Sequence, residues 1–218
     1  MLKAVIFDFD GTIGDTLPLV IKAIRAGVSP FIGREPSDDE IAATFGPIEE
    51  GSIKFFVRNE KDYEKGCRLM LDYYDKHHDE ISPKPFDGII ELIKHLKSEG
   101  IITALATGKG KKTCAISLRH YGMENIFDTV VTGSIEGAIK PQMMTELLKK
   151  YGLRPQEAIY IGDAPTDICA ARQVGVGIVS VLYGTREEYI PEVKAKHPDA
   201  ICYSPAEAAA YIDSLLEK

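Results

Sequence analysis

The chain has no CxxC pair and no cysteine–histidine spacing of a zinc site; Cys67, Cys114, Cys169 and Cys202 are scattered. Reduced thiols in apolar or helical surroundings are the expectation. No apolar run reaches the length of a membrane span, and strand-like sequence from Lys3 onward replaces any signal peptide. A cytoplasmic protein is expected. Excess positive charge is also missing: 26 Lys and Arg face 33 Asp and Glu, a formal charge of −7. That balance argues against nucleic acid or an acidic membrane as the main partner. Internal repeats and low-complexity segments are absent. What remains is 218 residues, 44% hydrophobic and 27% charged. Such a chain builds one large domain, or a core with a smaller insertion.

The most informative stretch is Ala4-Val5-Ile6-Phe7-Asp8-Phe9-Asp10-Gly11-Thr12. A short Val/Ile/Phe-rich run bounded by Gly reads as a buried strand. Asp8 and Asp10, one residue apart, are expected to leave its end on the same side and face one small volume. Two anions so close need a cation between them or a proton on one. A hard divalent ion with oxygen ligands, most simply Mg²⁺, answers that need. An ordinary turn would use the same residues for local hydrogen bonding, so the pair needs partners elsewhere.

Those partners come in order. Leu17 to Gly27 carries a helical stripe, and Ser29 to Pro36 reads as a break. Ser37-Asp38-Asp39-Glu40 has capping-box spacing for a short helix through Thr44. Two further helices are expected over Ile48 to Asn59 and Asp62 to His78, so that no strand lies between about Asp15 and Ser82. After the stiff Ser82-Pro83-Lys84-Pro85 linker, helices and strands alternate. Strands are expected at Ile101 to Ala106, Thr129 to Thr132, Ala158 to Ile161 and Val176 to Leu182. Lys140-Pro141 and Ser204-Pro205 open helices. This alternation predicts an α/β fold, a Rossmann-like parallel sheet with helices on both faces and an inserted all-helical domain. The expected division is 1–14 with 83–218 for the core and 15–82 for the insertion. In such sheets ligands bind at the carboxyl ends of the strands, where Asp8, Asp10, Thr107 and Asp163 fall.

Nucleophile, metal, hydroxyl and lysine together suit a phosphoryl group. Asp8 can attack phosphorus, and Asp10 can protonate the leaving alcohol and then deprotonate water. Asp163 completes the metal's oxygen shell, with Asp10 a further contributor through its carbonyl. Thr107 and the backbone around Gly108 can bond phosphate oxygens at a helix start, and Lys140 offsets charge.

Asp8-Phe9-Asp10-Gly11-Thr12, the strand ending in Thr107, Lys140-Pro141 and Gly162-Asp163-Ala164-Pro165-Thr166-Asp167 resemble the four motifs of the haloacid dehalogenase-like superfamily. The helical insertion is similar to the small cap of its phosphoglycolate phosphatases. The resemblance implies Asp8 as nucleophile, Asp10 as acid/base, and Thr107 and Lys140 as phosphate binders. It also implies Asp163 as a metal ligand, with Asp167 a ligand or just behind one, completing the metal site read from Asp8 and Asp10. The dehalogenases lack the second Asp, so Asp10 favours phosphate chemistry. Thr107-Gly108-Lys109 replaces the family's frequent Ser-Asn-Lys. Thr12 matches phosphatases, where related sugar-phosphate mutases often carry Val. The expected function is Mg²⁺-dependent hydrolysis of a small phosphorylated metabolite. Pyrophosphatase, mutase and a non-catalytic binding role are the alternatives.

Within the insertion, Lys54 and Arg58 form either a basic edge over the substrate or a solvated face. Phe45-Gly46-Pro47 either shapes a substrate loop or is a plain turn. Phe55-Phe56 reads as core of the insertion. At least two of Lys109, Lys111 and Lys112 are expected on the surface. His77-His78, with no adjacent cysteine or carboxylate pattern of a metal site, reads as an exposed helix end.

Overall fold

The computed structural model describes residues 1–216. In chain order it runs β1 (Ala4–Phe7), α1 (Leu17–Ile32), α2 (Asp38–Ala42), α3 (Glu49–Phe56), α4 (Glu60–Lys76), α5 (His78–Ile81) and α6 (Ile89–Ser98). There follow β2 (Ile102–Ala106), α7 (Lys111–His120), β3 (Thr129–Val131), α8 (Lys140–Tyr151), β4 (Ala158–Gly162) and α9 (Pro165–Val174). The chain closes with β5 (Gly177–Val181), α10 (Ile190–Ala195), β6 (Ala200–Cys202) and α11 (Pro205–Leu216).

The strands form one parallel sheet in the order β3-β2-β1-β4-β5-β6. β1 sits inside it, with Ala4 opposite Ile102 on one side and Ala158 on the other. Its side chains alternate between two cores. Val5 and Phe7 pack with Leu92, Ile93 and Leu118 on the α6, α7 and α11 face. Ala4 and Ile6 pack with Met143, Leu147 and Ile168 on the α8 and α9 face. Burial on both faces is why this strand shows no polar alternation. The α/β fold therefore agrees with the expected Rossmann-like sheet. β6 escapes sequence reading because three residues, Ala200-Ile201-Cys202, carry too little pattern for a period.

The helices α1 to α5 have a core of their own around Leu19, Ile24, Val28, Ile41, Ile53, Met70 and Tyr74. α1 and α4 cross at Gly27 and Gly66, where a Cβ on Gly27 would lie 2.7 Å from the Gly66 carbonyl oxygen. α1 also continues through the expected break at Pro30 to Ile32. Pro30 removes one helical N–H, while the Ser29 hydroxyl bonds the Arg25 carbonyl at 2.8 Å and Gly33 ends the helix in the left-handed region. The Ser37–Glu40 capping box forms as expected. Phe55 corrects its expected burial: it is 65% exposed, edge-on to Phe56.

The segments entering and leaving this helical block touch. Ser82 Oγ donates to the Asp15 carbonyl at 2.7 Å and lies 2.6 Å from the Tyr121 hydroxyl. Residues 217–218 of the expected core lie outside the described residues. No described helix is long and apolar enough to cross a membrane. All four cysteines are unpaired; Cys114 and Cys202 are buried, while Cys169 is exposed rather than enclosed.

Candidate active site

Three strand ends build the site. Asp8 follows β1, Thr107 follows β2 and Asp163 follows β4, the three central strands around which the chain changes direction across the sheet. That is where an open parallel sheet leaves a crevice. The chain turns sharply after Asp10 because Gly11 adopts φ +73°, and a Cβ there would collide with the Asp163 carboxylate. Only glycine meets both demands without strain.

Lys140, the first residue of α8, joins two carboxylates. Its Nζ lies 2.5 Å from Asp8 Oδ2 and 2.5 Å from Asp167 Oδ1. The second Asp167 oxygen accepts the Ala164 N–H at 3.0 Å, which fixes the start of α9. Asp8 Oδ1 accepts the Phe9 N–H at 2.7 Å. Burial pushes the Asp8 carboxyl up to about 6, although Lys140 pulls it down. Burial also pushes Asp163 well above the ordinary range, with Asp167 and Asp8 adding repulsion. Oxygens of Asp8, Asp163 and Asp167 lie within 4.8 Å of one another. One lysine thus pairs with two of the three acids, and no side-chain donor among the described residues bonds the Asp163 carboxylate. An all-oxygen set with surplus negative charge fits a hard divalent cation.

Asp10 stands beside this group, where its charge adds repulsion to Asp8 and Asp163. Its Oδ1 accepts from Lys109 Nζ at 2.9 Å and from the Thr16 hydroxyl, and its carboxylate is not one of the three grouped acids. Thr107 is fully buried and its Oγ1 accepts the Lys109 N–H at 3.2 Å. Gly108 has open space where a side chain would stand, so backbone alone borders the crevice there.

Lys109 is the residue that sequence reasoning undervalued. Lys111 and Lys112 are exposed, as expected of two of the three, but Lys109 is 2% exposed. Its Nζ lies over the Tyr74 ring at 5.0 Å and the Phe9 ring at 5.5 Å. Glu49 of α3 stands 3.7 Å away, and Glu49 also accepts from Gly110 N–H at 2.7 Å and Thr113 Oγ1 at 2.8 Å. The Ile48 N–H bonds the Ser134 carbonyl at 3.0 Å. The start of α3 therefore covers the loop after β2.

The insertion residues named from the sequence as candidate substrate contacts, Lys54, Arg58, Phe45 and Gly46, are exposed. Lys54 is exposed on the last turn of α3, and Arg58 is exposed beyond the helix end, so they do not share one helical face. Phe45 is 40% exposed and Gly46 takes φ +135° in the loop before α3. His78 overturns its reading as an exposed helix end: it is fully buried, between Ser117 and His120.

The chain matches the family model described as haloacid dehalogenase-like hydrolase over residues 5–181. A phosphoglycolate phosphatase of Thiobacillus denitrificans is 29% identical across 97% of this chain and 96% of its own. Pyrophosphatase PpaX of Bacillus cereus is 26% identical across 84% of each chain. The crystal structure of a predicted phosphoglycolate phosphatase from Haemophilus somnus superposes with a TM-score of 0.80. It is 24% identical and the match covers 97% of this chain and 98% of that one, a likeness that carries the fold alone. The family match runs from β1 to the end of β5, across all the strand ends that carry the acids, and the chain belongs to the haloacid dehalogenase-like hydrolases.

Proposed function

We propose that this hydrolase is a phosphatase that cleaves a small phosphomonoester, of the phosphoglycolate kind, through a phosphoryl group carried on Asp8. The observation that carries the reading is the Lys140 ammonium set between Asp8 and Asp167 beside Asp163. Lys140 holds Asp8 in place and offsets charge that gathers on the phosphoryl oxygens. An Asp8 oxygen attacks phosphorus as the bond to the leaving oxygen breaks. Asp10 gives that oxygen a proton, then takes one from the water that attacks the phosphoryl-aspartate. Inorganic phosphate leaves and the Asp8 carboxylate is restored. Thr107 and the Gly108 backbone border the phosphate position. Mg²⁺, held by Asp8 and Asp163 with Asp167 as ligand or support, supplies positive charge to the phosphoryl group when bound.

Residues 15–82 act as a cap in this reading. The approach of Ile48 and Glu49 to the β2 loop favours a small substrate over a protein or nucleic acid. The enzyme works in the cytoplasm on a phosphorylated metabolite. The pyrophosphatase names among its relatives support pyrophosphate as a second substrate. Assays of p-nitrophenyl phosphate, phosphoglycolate and pyrophosphate with Mg²⁺ test both readings. Preference for phosphoglycolate is expected; no turnover of any of the three would overturn the enzyme reading.

A further inference from the structure

Away from the strand ends, two imidazoles and a carboxylate meet where α5 begins and α7 ends. One ligand atom from each of His78, Asp79 and His120 lies within 4.8 Å of the others. His78 is fully buried, and its Nε2 is 3.0 Å from Ser117 Oγ, which in turn lies 2.7 Å from the Tyr74 hydroxyl. That bond occupies one ring nitrogen. The other, Nδ1, is buried and has no hydrogen-bond partner. A buried imidazole nitrogen without a partner is costly unless something else pairs with it.

His120 is prepared from the opposite side. Its Nδ1 lies 2.6 Å from Asp79 Oδ1, and its Nε2 lies 2.8 Å from Asp75 Oδ1. Asp75 is itself held by Arg119 at 2.5 Å. A carboxylate behind an imidazole fixes the ring and raises its basicity, the usual support for a metal-binding histidine. The two rings stack, with centroids 4.5 Å apart and planes 11° from parallel.

We propose that His78, Asp79 and His120 form a second cation site, for a borderline divalent ion such as Zn²⁺, which fastens the helical insertion to the sheet core. The ion takes the place of the proton shared by His120 Nδ1 and Asp79. The His120 ring swings out of the stack so that both imidazole lone pairs converge on the ion. Two nitrogens and one oxygen leave a fourth position for water, and imidazole donors favour Zn²⁺ over Mg²⁺. The site shares no residue with the Asp8 group and does not depend on the proposed phosphatase activity. Its position explains what it would restrain. Tyr121 follows His120 and bonds Ser82, which bonds Asp15, so the ion pins the crossing where the insertion leaves and rejoins the core.

The test uses the whole protein in excess Mg²⁺, with Zn²⁺ titrated by calorimetry and Cu²⁺ as a paramagnetic probe. Imidazole coordination leaves a nitrogen signature in the Cu²⁺ spectrum that the carboxylate group around Asp8 cannot produce. The wild type should show two imidazoles, and His120→Gln should show one. Both His120→Gln and Asp79→Asn, which change partly or largely exposed side chains, should weaken Zn²⁺ binding by on the order of ten-fold or more. Absence of an imidazole signature in the wild type overturns the site. So does unchanged Zn²⁺ affinity in either variant.

Discussion

Glu49 Oε2 accepts the Gly110 N–H at 2.7 Å, so a side chain from the helical insertion caps the helix that follows the β2 loop. A carboxylate at a helix start satisfies an orphan donor and opposes the positive end of the dipole. The same carboxylate stands 3.7 Å from Lys109, whose ammonium bonds Asp10. Glu49→Ala should therefore lower kcat/KM for p-nitrophenyl phosphate by about ten- to a hundred-fold, the 1.5–3 kcal/mol of a charged hydrogen bond. Steady-state kinetics check this; unchanged kinetics would show that the contact is structural only.

The two acids of the first motif should separate in their effects. Asp8→Asn keeps the shape but removes the charge that attacks phosphorus, so no phosphoryl-enzyme forms. Asp10→Asn leaves Asp8 able to react slowly with a good leaving group, while release of phosphate is impaired. Acid quench and mass measurement should find phosphate on Asp8 in the Asp10 variant alone. Equal labelling of both variants refutes these roles.

Chelation should abolish turnover, and Mg²⁺ should restore it. One lysine pairs with two of the three grouped acids and leaves Asp163 unpaired, so without a divalent cation the anionic substrate meets net negative charge. An assay in excess EDTA with Mg²⁺ add-back is sufficient, and full activity under chelation contradicts the assignment.

How far the sequence revealed these groups depends on how local their signals are. Asp8, Lys140 and Asp163 sit at strand ends or helix starts, where Gly and Pro punctuate short apolar runs. Lys109 was harder to read. Its burial depends on Asp10, 99 residues earlier, and on Glu49, 60 residues earlier, and no periodicity records such partners. His78 has the same difficulty, since His120 comes from another helix. Lys54 and Arg58 are spaced four apart, but α3 ends at Phe56, so helical spacing did not apply to both.

The thiols should react in an order set by burial. Burial pushes Cys114 up to about 12 and Cys202 up to about 11, so both stay protonated at mildly alkaline pH. Cys169 is exposed on α9. Iodoacetamide under native conditions should label Cys169 first, while Cys114 and Cys202 require denaturant. Peptide mapping after timed labelling reads the order, and early labelling of Cys114 would contradict its enclosure.

Acid should expose a separate weakness at the amino-terminal edge of the sheet. Hydrogen bonds from the Arg154 side chain, from Lys3 and from the Arg154 N–H hold Glu157 down to about 2, against an ordinary 4.5. Because the folded state binds this proton less readily, the contribution is whole above the ordinary value. It fades as the pH falls through the folded one. Urea midpoints measured between about pH 5 and 3 should fall less steeply in Glu157→Gln than in the wild type. Parallel slopes would show that the cluster adds nothing.

The contact between Ser82 and Asp15 has a consequence for how such a chain can diversify. The polypeptide leaves the sheet and comes back at one point, so the intervening stretch imposes no distance on the strands it joins. Lengthening or replacing those helices changes what covers the crevice while Ala4 stays opposite Ile102 and Ala158. Selection for a new substrate can therefore act on one piece of the gene without disturbing the alignment of the acids.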